Sequence, residues 1–252
     1  MSKSSNSIGR RTFLKSTVGA AALIGGAQLG LVENAAAYSW TRTLRRGDSG
    51  ADVKELQIRI AGWAADTASQ TFVSTDGAFG PGTEAAVIRF QRAYGLGADG
   101  IVGPATHSVL NSLESSDGST ANFNWTEFHS KDGSGFSGGN VGSTTVQENV
   151  RRLMYKLEAL RKKAGGAGVT INSGFRSINH NRNVGGASNS QHTYGIAADI
   201  VVSGKTVSQV NSIARTCGFS GIILYSTFNH VDSRIEYPYG TQSWYWGTSG
   251  DV

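Results

Sequence analysis

The sequence predicts two parts: a small all-α domain of three helices, then an α+β domain with a small antiparallel sheet and flanking helices. One observation is an eight-residue pattern that begins near residue 76 and again near residue 99, each time leading into apolar residues at helical spacing. The other is a set of short β-branched segments after residue 168. At 252 residues the chain is long enough for each part to bury its own core.

Composition and charge argue against a nucleic-acid-binding protein and against a protein held together by disulfides. The chain has 34 glycines, only 3 prolines and a formal charge of +5. Residues 1–37 contain four basic residues and one acidic residue, so their removal lowers the charge to +2. A charge this small does not indicate a nucleic-acid partner. The single cysteine, Cys217, allows no internal disulfide, and its place at a predicted helix end indicates a packed residue rather than a nucleophile.

Residues 1–37 have the pattern of an export signal. The pair Arg10–Arg11 precedes a modest apolar run over Val18–Val32, followed by the small residues Ala35–Ala37. Glycines interrupt the run, which lacks the ~20 solidly apolar residues of a membrane span, so an anchor is the weaker interpretation. The sequence therefore predicts a twin-arginine signal cleaved after residue 37, and a secreted or cell-wall protein without membrane attachment.

Residues 38–114 form the predicted all-α domain. The pattern D-G-x-x-G-P-x-T begins at Asp76 and at Asp99, and its proline falls in the first helical turn, where a missing N–H costs nothing. A third helical pattern precedes both copies, between Val53 and Ile60. Residues 115–121, which are small and polar, form the predicted linker to a second domain at residues 122–252.

Two longer motifs lie in this all-α domain. They are L-R-x-G-D-S-G-x-x-V-x-x-L-Q at Leu44–Gln57 and D-G-x-F-G-P-x-T-x-x-A-V-x-x-F-Q at Asp76–Gln91. Both resemble the peptidoglycan-binding module found beside many cell-wall hydrolases. The resemblance implies that the domain holds the protein on peptidoglycan. The alternative is that the repeat only builds a compact bundle and binds nothing.

The second domain is predicted to contain one long helix and four short strands. The helix has an apolar stripe between Val146 and Leu160. Four segments have the composition or context of strands: Val169–Ser173, Ala197–Val202, Ile222–Tyr225 and the segment that contains His230. We expect the small antiparallel sheet that they form to carry the functional site.

Two of the five histidines have carboxylates nearby in strand context. His192 stands seven positions before Asp199, and His230 stands two positions before Asp232. Residues two apart on a strand face the same side, so His230 and Asp232 can line one cleft. Gly195 would permit the sharp turn that lets His192 and Asp199 converge. Two imidazoles and at least one carboxylate around an open fourth position are the ligand set of catalytic zinc.

Sequence motifs surround these residues. S-x-H-x-x-G-x-A-x-D occupies Ser190–Asp199, G-F-R-S occupies Gly174–Ser177, and H-x-D follows at His230. Together they resemble the zinc D-alanyl-D-alanine carboxypeptidase family, whose fold is shared with lysostaphin-like and hedgehog-type domains. The resemblance extends over about residues 122–232 and, with the first domain, is similar to exported actinomycete enzymes of this kind.

The resemblance implies a zinc peptidase that hydrolyses peptide bonds in peptidoglycan stem peptides, next to D-alanine. It implies His192, Asp199 and His230 as zinc ligands, and Arg176 as the residue that engages a substrate carboxylate. Pairing of Arg176 with a structural acid is the alternative. We expect a monomer that binds peptidoglycan. Two other functions compete: a murein endopeptidase, and a metal-containing peptidoglycan-binding protein with weak turnover.

The chain departs from the family at the general base. Related carboxypeptidases have an acidic residue or a histidine one to three positions before the last histidine ligand, where this chain has Thr227–Asn229. None of these three side chains takes a proton from water at neutral pH. Asp232 is the nearest carboxylate able to act as the catalytic base, and orientation of His230 is its competing role. His180, in a predicted loop, could also approach the site.

Overall fold

The computed structural model of this protein describes residues 38–249. The predicted export signal at residues 1–37 lies outside the described residues. Within the described part, no helix has both the length and the apolar character needed to cross a membrane.

The described residues begin with helices and continue with a mixed helix and sheet domain, which confirms the predicted fold class. The α-helices are α1 (Ala51–Arg59), α2 (Pro81–Ala93), α3 (Pro104–Ser112), α4 (Ser143–Lys163), α5 (Ile178–Asn183) and α6 (Val207–Ala214). The strands are β1 (Val169–Ser173), β2 (Ala197–Val202), β3 (Gly221–Leu224), β4 (Asn229–Asp232) and β5 (Tyr245–Thr248).

The repeat in the first part has a structural reason. Gln57 is fully buried, and its amide donates to Oδ1 of Asp76 (2.9 Å) while accepting from the backbone N–H of Gly77 (2.8 Å). The buried Gln91 holds the second turn in the same way, donating to Oδ1 of Asp99 (2.9 Å). Each D-G turn is therefore clamped by a glutamine from the preceding helix, which explains why D-G and Q recur together.

The five strands form one sheet in the order β1-β2-β4-β3-β5. The first four pair antiparallel, as predicted, whereas β5 pairs parallel to β3. Strand β4 ends at Asp232, which is paired with Gly221 at the start of β3, and Gly221 is also paired with Tyr245 at the start of β5. Residues 233–244 therefore begin and end at the same end of the sheet, the end where β3 starts. Because β5 starts at this end too, it runs parallel to β3.

Helix α4 packs on one face of this sheet and leaves the other face for the site. Val150 and Leu157 of α4 share a buried core with Ala198 and Ile200 of β2. Side chains alternate along a strand, so Asp199, between Ala198 and Ile200, projects from the opposite face. The carboxylate is thus carried by a rigid strand whose neighbours are anchored in the core.

Helix α4 also packs against the helices of the first part. Tyr155 and Ala159 are buried in the core that α1 and α2 form with the segment after α1. A Cβ atom added at Gly62 would lie 2.4 Å from Cβ of Ala159, so only a glycine allows this close approach. Across the same boundary, both guanidinium Nη atoms of Arg151 bond to the carboxylate of Glu55 at 2.9 Å.

Candidate metal centre

Three predicted ligands converge on one point. Nε2 of His192 lies 3.2 Å from Nδ1 of His230 and 3.3 Å from Oδ1 of Asp199. Nδ1 of His230 lies 2.9 Å from the same carboxylate oxygen. All three residues are buried. The sequence separates them by as many as 38 positions, and the fold brings one nitrogen or oxygen atom of each together.

The sheet register and one turn produce this arrangement. Asp199 on β2 and His230 on β4 are directly paired across neighbouring antiparallel strands, so their side chains lie side by side on one face. His192 lies in a 3-10 helix, Gln191–Tyr194, which ends at Gly195 with φ at 74°. This left-handed conformation favours glycine, which confirms the turn predicted there.

The spacing of the three atoms fits a zinc ion. Zinc in proteins has ligand distances of about 2.0–2.1 Å and tetrahedral geometry, which places ligand atoms roughly 3.3 Å apart. The observed separations are 2.9, 3.2 and 3.3 Å. Two imidazoles and one carboxylate are also the donor types that zinc accepts.

Hydrogen bonds behind the ligands fix which ring nitrogen faces the cluster. Nδ1 of His192 lies 2.6 Å from the carbonyl oxygen of Gly174, which can only accept, so Nδ1 carries the hydrogen and Nε2 is left as donor to a metal. Nε2 of His230 lies 3.0 Å from Oδ2 of Asp232, which leaves its Nδ1 for the metal. Such partners orient metal ligands and strengthen them.

Burial and the neighbouring carboxylates shift the pKa values of His192 and His230 in opposite directions. Burial lowers the pKa of His192. Burial would also lower the pKa of His230, but its hydrogen bonds to Asp199 and Asp232 raise it to about 9. A metal ion that binds Nδ1 of His230 must therefore displace a proton at neutral pH, so metal affinity decreases as the pH is lowered.

Asp232 is fully buried beneath the cluster. Besides the bond to His230, its carboxylate accepts from the backbone N–H of Arg234 (2.9 Å) and from Nη2 of the same arginine (2.6 Å). Burial would raise the pKa of Asp232, but His230 and Arg234 hold it well below its usual value. The carboxylate contacts the ring nitrogen opposite the ligand atom, a position suited to orienting His230.

Arg176 lies between the cluster and the cleft. Its Nη2 donates to Oδ2 of Asp199 at 2.6 Å, and its Nε donates to Oγ of Ser173 at 2.8 Å. The pairing with an acid that the sequence left as an alternative is therefore present. The side chain is 16% exposed and lines the cleft, so its guanidinium can also face a substrate carboxylate.

The cluster forms the floor of a cleft of about 420 Å³. Two lining residues that sequence reasoning missed are Arg234 and Tyr225. Arg234 lies beyond the end of β4 at Asp232, so the strand pattern of the sequence did not point to it. His180 is not among the residues that line the cleft. A second pocket of equal volume lies by Trp63, but among residues 38–249 no cluster of metal-ligating groups lines it.

A buried set of two histidines and an aspartate, open to solvent through a cleft, is the arrangement of a mononuclear zinc hydrolase. Comparison with known proteins identifies the family. Residues 121–232 match the peptidase M15 family, and residues 49–110 match the peptidoglycan-binding domain family. The chain is 45% identical over 186 residues to the zinc D-Ala-D-Ala carboxypeptidase of Streptomyces albus G, covering 74% of this chain and 71% of that protein.

The chain therefore belongs to the peptidase M15 family, and the predictions of a metallopeptidase and of zinc as its cofactor are confirmed. It is also 35% identical over 132 residues to a spore cortex-lytic enzyme of Bacillus cereus, of which it spans 44%. A crystal structure of a peptidoglycan-binding protein from Clostridioides difficile matches 29% of this chain and 42% of its own, at 41% identity and a TM-score of 0.25.

Proposed function

We propose that this protein is an exported D-alanyl-D-alanine carboxypeptidase that removes the terminal residue of peptidoglycan stem peptides. The observation that carries the proposal is the convergence of His192, Asp199 and His230 within 3.3 Å of one another on the floor of the cleft. The similarity to a carboxypeptidase over both parts of the chain supports it. Export by the twin-arginine route and a monomeric state belong to the proposal.

The three residues of the cluster are the proposed zinc ligands. When bound, the ion supplies an activated water and polarises the scissile carbonyl. Gly174 and Asp232 then hold the two imidazole rings in the orientation that presents His192 Nε2 and His230 Nδ1 to the ion.

Arg176 is the proposed binding residue for the terminal carboxylate of the stem peptide. Its guanidinium faces the cleft, and the side chain of Arg234 lines the same cleft. Arg176 keeps N–H donors beyond those it gives to Ser173 and Asp199, and the planar guanidinium presents such donors in a geometry that suits a carboxylate. An internal peptide bond would bring no carboxylate to this position.

Orientation of His230 is the role that we propose for Asp232, in place of catalytic base. The residue is 0% exposed, and every bond of its carboxylate goes to His230 or Arg234 among the described residues. A base must reach the proton that it abstracts, directly or through one water. The carboxylate of Asp232 instead contacts Nε2 of His230, the ring nitrogen that does not face the cluster.

The helical part is proposed to keep the peptidase on its polymeric substrate. Residues 49–110 match the peptidoglycan-binding domain family. Because α4 packs against both this part and the sheet, binding by the helices would place the cleft in a fixed position relative to the cell wall. Such attachment raises the effective concentration of stem peptides at the cleft.

The proposal is tested with purified protein loaded with zinc and two substrates, a stem peptide ending in D-Ala-D-Ala and a cross-linked stem dimer. We expect D-alanine release from the first substrate, loss of release with a chelator, and recovery with added zinc. Cleavage of the dimer alone would replace the proposal with an endopeptidase. Binding to peptidoglycan without any product would replace it with a binding protein of weak turnover.

A further inference from the structure

Tyr225 lines the cleft, and the mechanism proposed above gives its hydroxyl no role. It follows β3 directly, and its backbone N–H donates to the carbonyl of Phe228 at 3.1 Å, so the hairpin continues through it. Ile223, two positions earlier, is paired with His230 and lines the cleft. By the alternation of side chains, Tyr225 projects from the same face as Ile223 and the ligand cluster.

The ring of Tyr225 is fixed in position. It stacks on the ring of Phe228, with centroids 4.3 Å apart and planes 12° from parallel. Diagonal neighbours on adjacent antiparallel strands lie about 7–8 Å apart, within the reach of a tyrosine side chain. The phenol thus extends from a rigid hairpin toward the neighbourhood of His230, its diagonal neighbour across β4.

The surroundings of the phenol keep it protonated. Burial raises the pKa of Tyr225, the carboxylate of Asp199 raises it further, and Arg176 acts in the opposite direction. A hydroxyl whose pKa is raised above the usual value stays a hydrogen-bond donor at neutral pH. Among residues 38–249, no side chain or backbone group is bonded to this hydroxyl.

The two arginines of the cleft each give part of their donors to a buried carboxylate, and their proposed partner in the substrate is the terminal carboxylate. Arg176 donates to Asp199, and Arg234 donates to Asp232. The lining contains no carboxylate besides Asp199 within the part of the chain that the structure describes. The Tyr225 hydroxyl is a neutral donor on a stacked ring in the same lining as the cluster, a position suited to stabilising charge that develops during the reaction.

We propose that the Tyr225 hydroxyl donates a hydrogen bond to the oxygen of the scissile carbonyl as that oxygen gains negative charge. The inference rests on the proposed peptidase function. The water oxygen bonds to the carbonyl carbon, and the π electron pair moves onto the carbonyl oxygen. The pair returns as the C–N bond breaks, and the leaving nitrogen takes a proton released by the water. Tyr225 keeps its own proton throughout.

The variant Tyr225→Phe removes only the hydroxyl and preserves the stack on Phe228. Tyr194→Phe is the matched control, because Tyr194 is outside the cleft lining and stacks on Tyr239. Both zinc-loaded variants are compared with the wild type in two assays. The first measures kcat and KM for D-alanine release. The second measures, by calorimetry, the affinity for a phosphinate analogue, which mimics the tetrahedral anion, and for the product peptide.

We expect kcat of Tyr225→Phe to fall roughly 100-fold, with KM within about twofold of the wild type. Affinity for the phosphinate should fall by a similar factor, while product affinity and zinc content stay unchanged. The control should match the wild type in every assay. This pattern separates a bond made in the transition state from one made in the ground state.

Several results would overturn the inference. They are an unchanged kcat, a rise in KM alone, a loss of zinc from Tyr225→Phe, or an equal loss in Tyr194→Phe. If the wild type releases no D-alanine, the proposed function fails. The phosphinate assay still tests Tyr225 in that case, since equal affinities of the wild type and Tyr225→Phe would contradict its role.

Discussion

Asp232 bonds to Nε2 of His230 at 3.0 Å, the ring nitrogen opposite the one that joins the ligand cluster. Arg234 donates to the same carboxylate, with Nε 3.0 Å from Oδ1 and Nη2 2.6 Å from Oδ2. The ring of His230 is thereby fixed in one orientation and one tautomer. Zinc affinity should therefore depend on Asp232, although this residue is not one of the three ligands.

The variant Asp232→Asn tests this dependence. An amide can donate to Nε2, which would move the ring hydrogen to Nδ1, where the metal has to bind. We expect zinc affinity to fall by about 10- to 100-fold. The measurement is competition with a chromophoric chelator at fixed pH. Asp117→Asn is the control, since Asp117 bonds to Ser119 away from the cluster. Unchanged zinc affinity with turnover abolished would instead identify Asp232 as the base.

The ion pair between Glu55 and Arg151 predicts coupling between the helical part and α4. Glu55 also accepts from Nε of Arg59 at 2.7 Å. We expect Glu55→Gln to lower the free energy of unfolding by about 2–3 kcal/mol at pH 7, because the buried guanidinium of Arg59 and the partly buried guanidinium of Arg151 lose part of their partner. Urea unfolding measures this. The control is Glu84→Gln, whose exposed partner Arg46 lies 3.5 Å away, with an expected change below about 0.5 kcal/mol.

The effect of Glu55→Gln should also depend on pH. Burial would raise the pKa of Glu55, but the hydrogen bonds and charges of Arg151 and Arg59 hold it below its usual value. A lowered folded pKa stabilises the protein above the unfolded pKa of about 4.3, and the contribution is lost as the pH falls through the folded value. The difference between wild type and variant should therefore be constant near neutrality and shrink below about pH 4. A difference that grows in acid would contradict this.

Close packing at Gly62 predicts a steric effect at the same boundary. Gly62→Ala places a methyl group 2.4 Å from Cβ of Ala159 and 3.0 Å from the backbone of Lys156. We expect a loss of about 1–3 kcal/mol in the free energy of unfolding. Gly82→Ala on α2, with no atom within 4 Å of the added Cβ, should be neutral or slightly stabilising. Equal stabilities of the two variants would show that α4 does not pack tightly against the helices in solution.

Local signals in the sequence predicted the elements that build the site. The repeat predicted α2 and α3 with Pro81 and Pro104 at their first positions. The alternation around His230 predicted a strand, and Gly195 predicted the turn before β2. These features depend on residues close together in the chain, which is why sequence patterns report them. The three ligands remain proposals, now supported by their distances.

Long-range packing determined what the sequence did not reveal. The predicted apolar stripe of α4 describes the face toward the sheet, whereas Tyr155 and Ala159 bury a second face against the helical part. A tyrosine and an alanine four positions apart give no signal of a partner. The parallel pairing of β5 follows from the path of residues 233–244, and Tyr225 becomes a cleft residue only through the β3-β4 hairpin.

Zinc content of purified protein tests the central claim most directly. Elemental analysis should find about one zinc per chain in the wild type and in His180→Ala, since the ring of His180 does not line the cleft. His192→Ala and His230→Ala should each retain almost none after dialysis, because two remaining ligands bind zinc weakly. Equal zinc in the wild type and in these two variants would contradict the assignment of the metal centre.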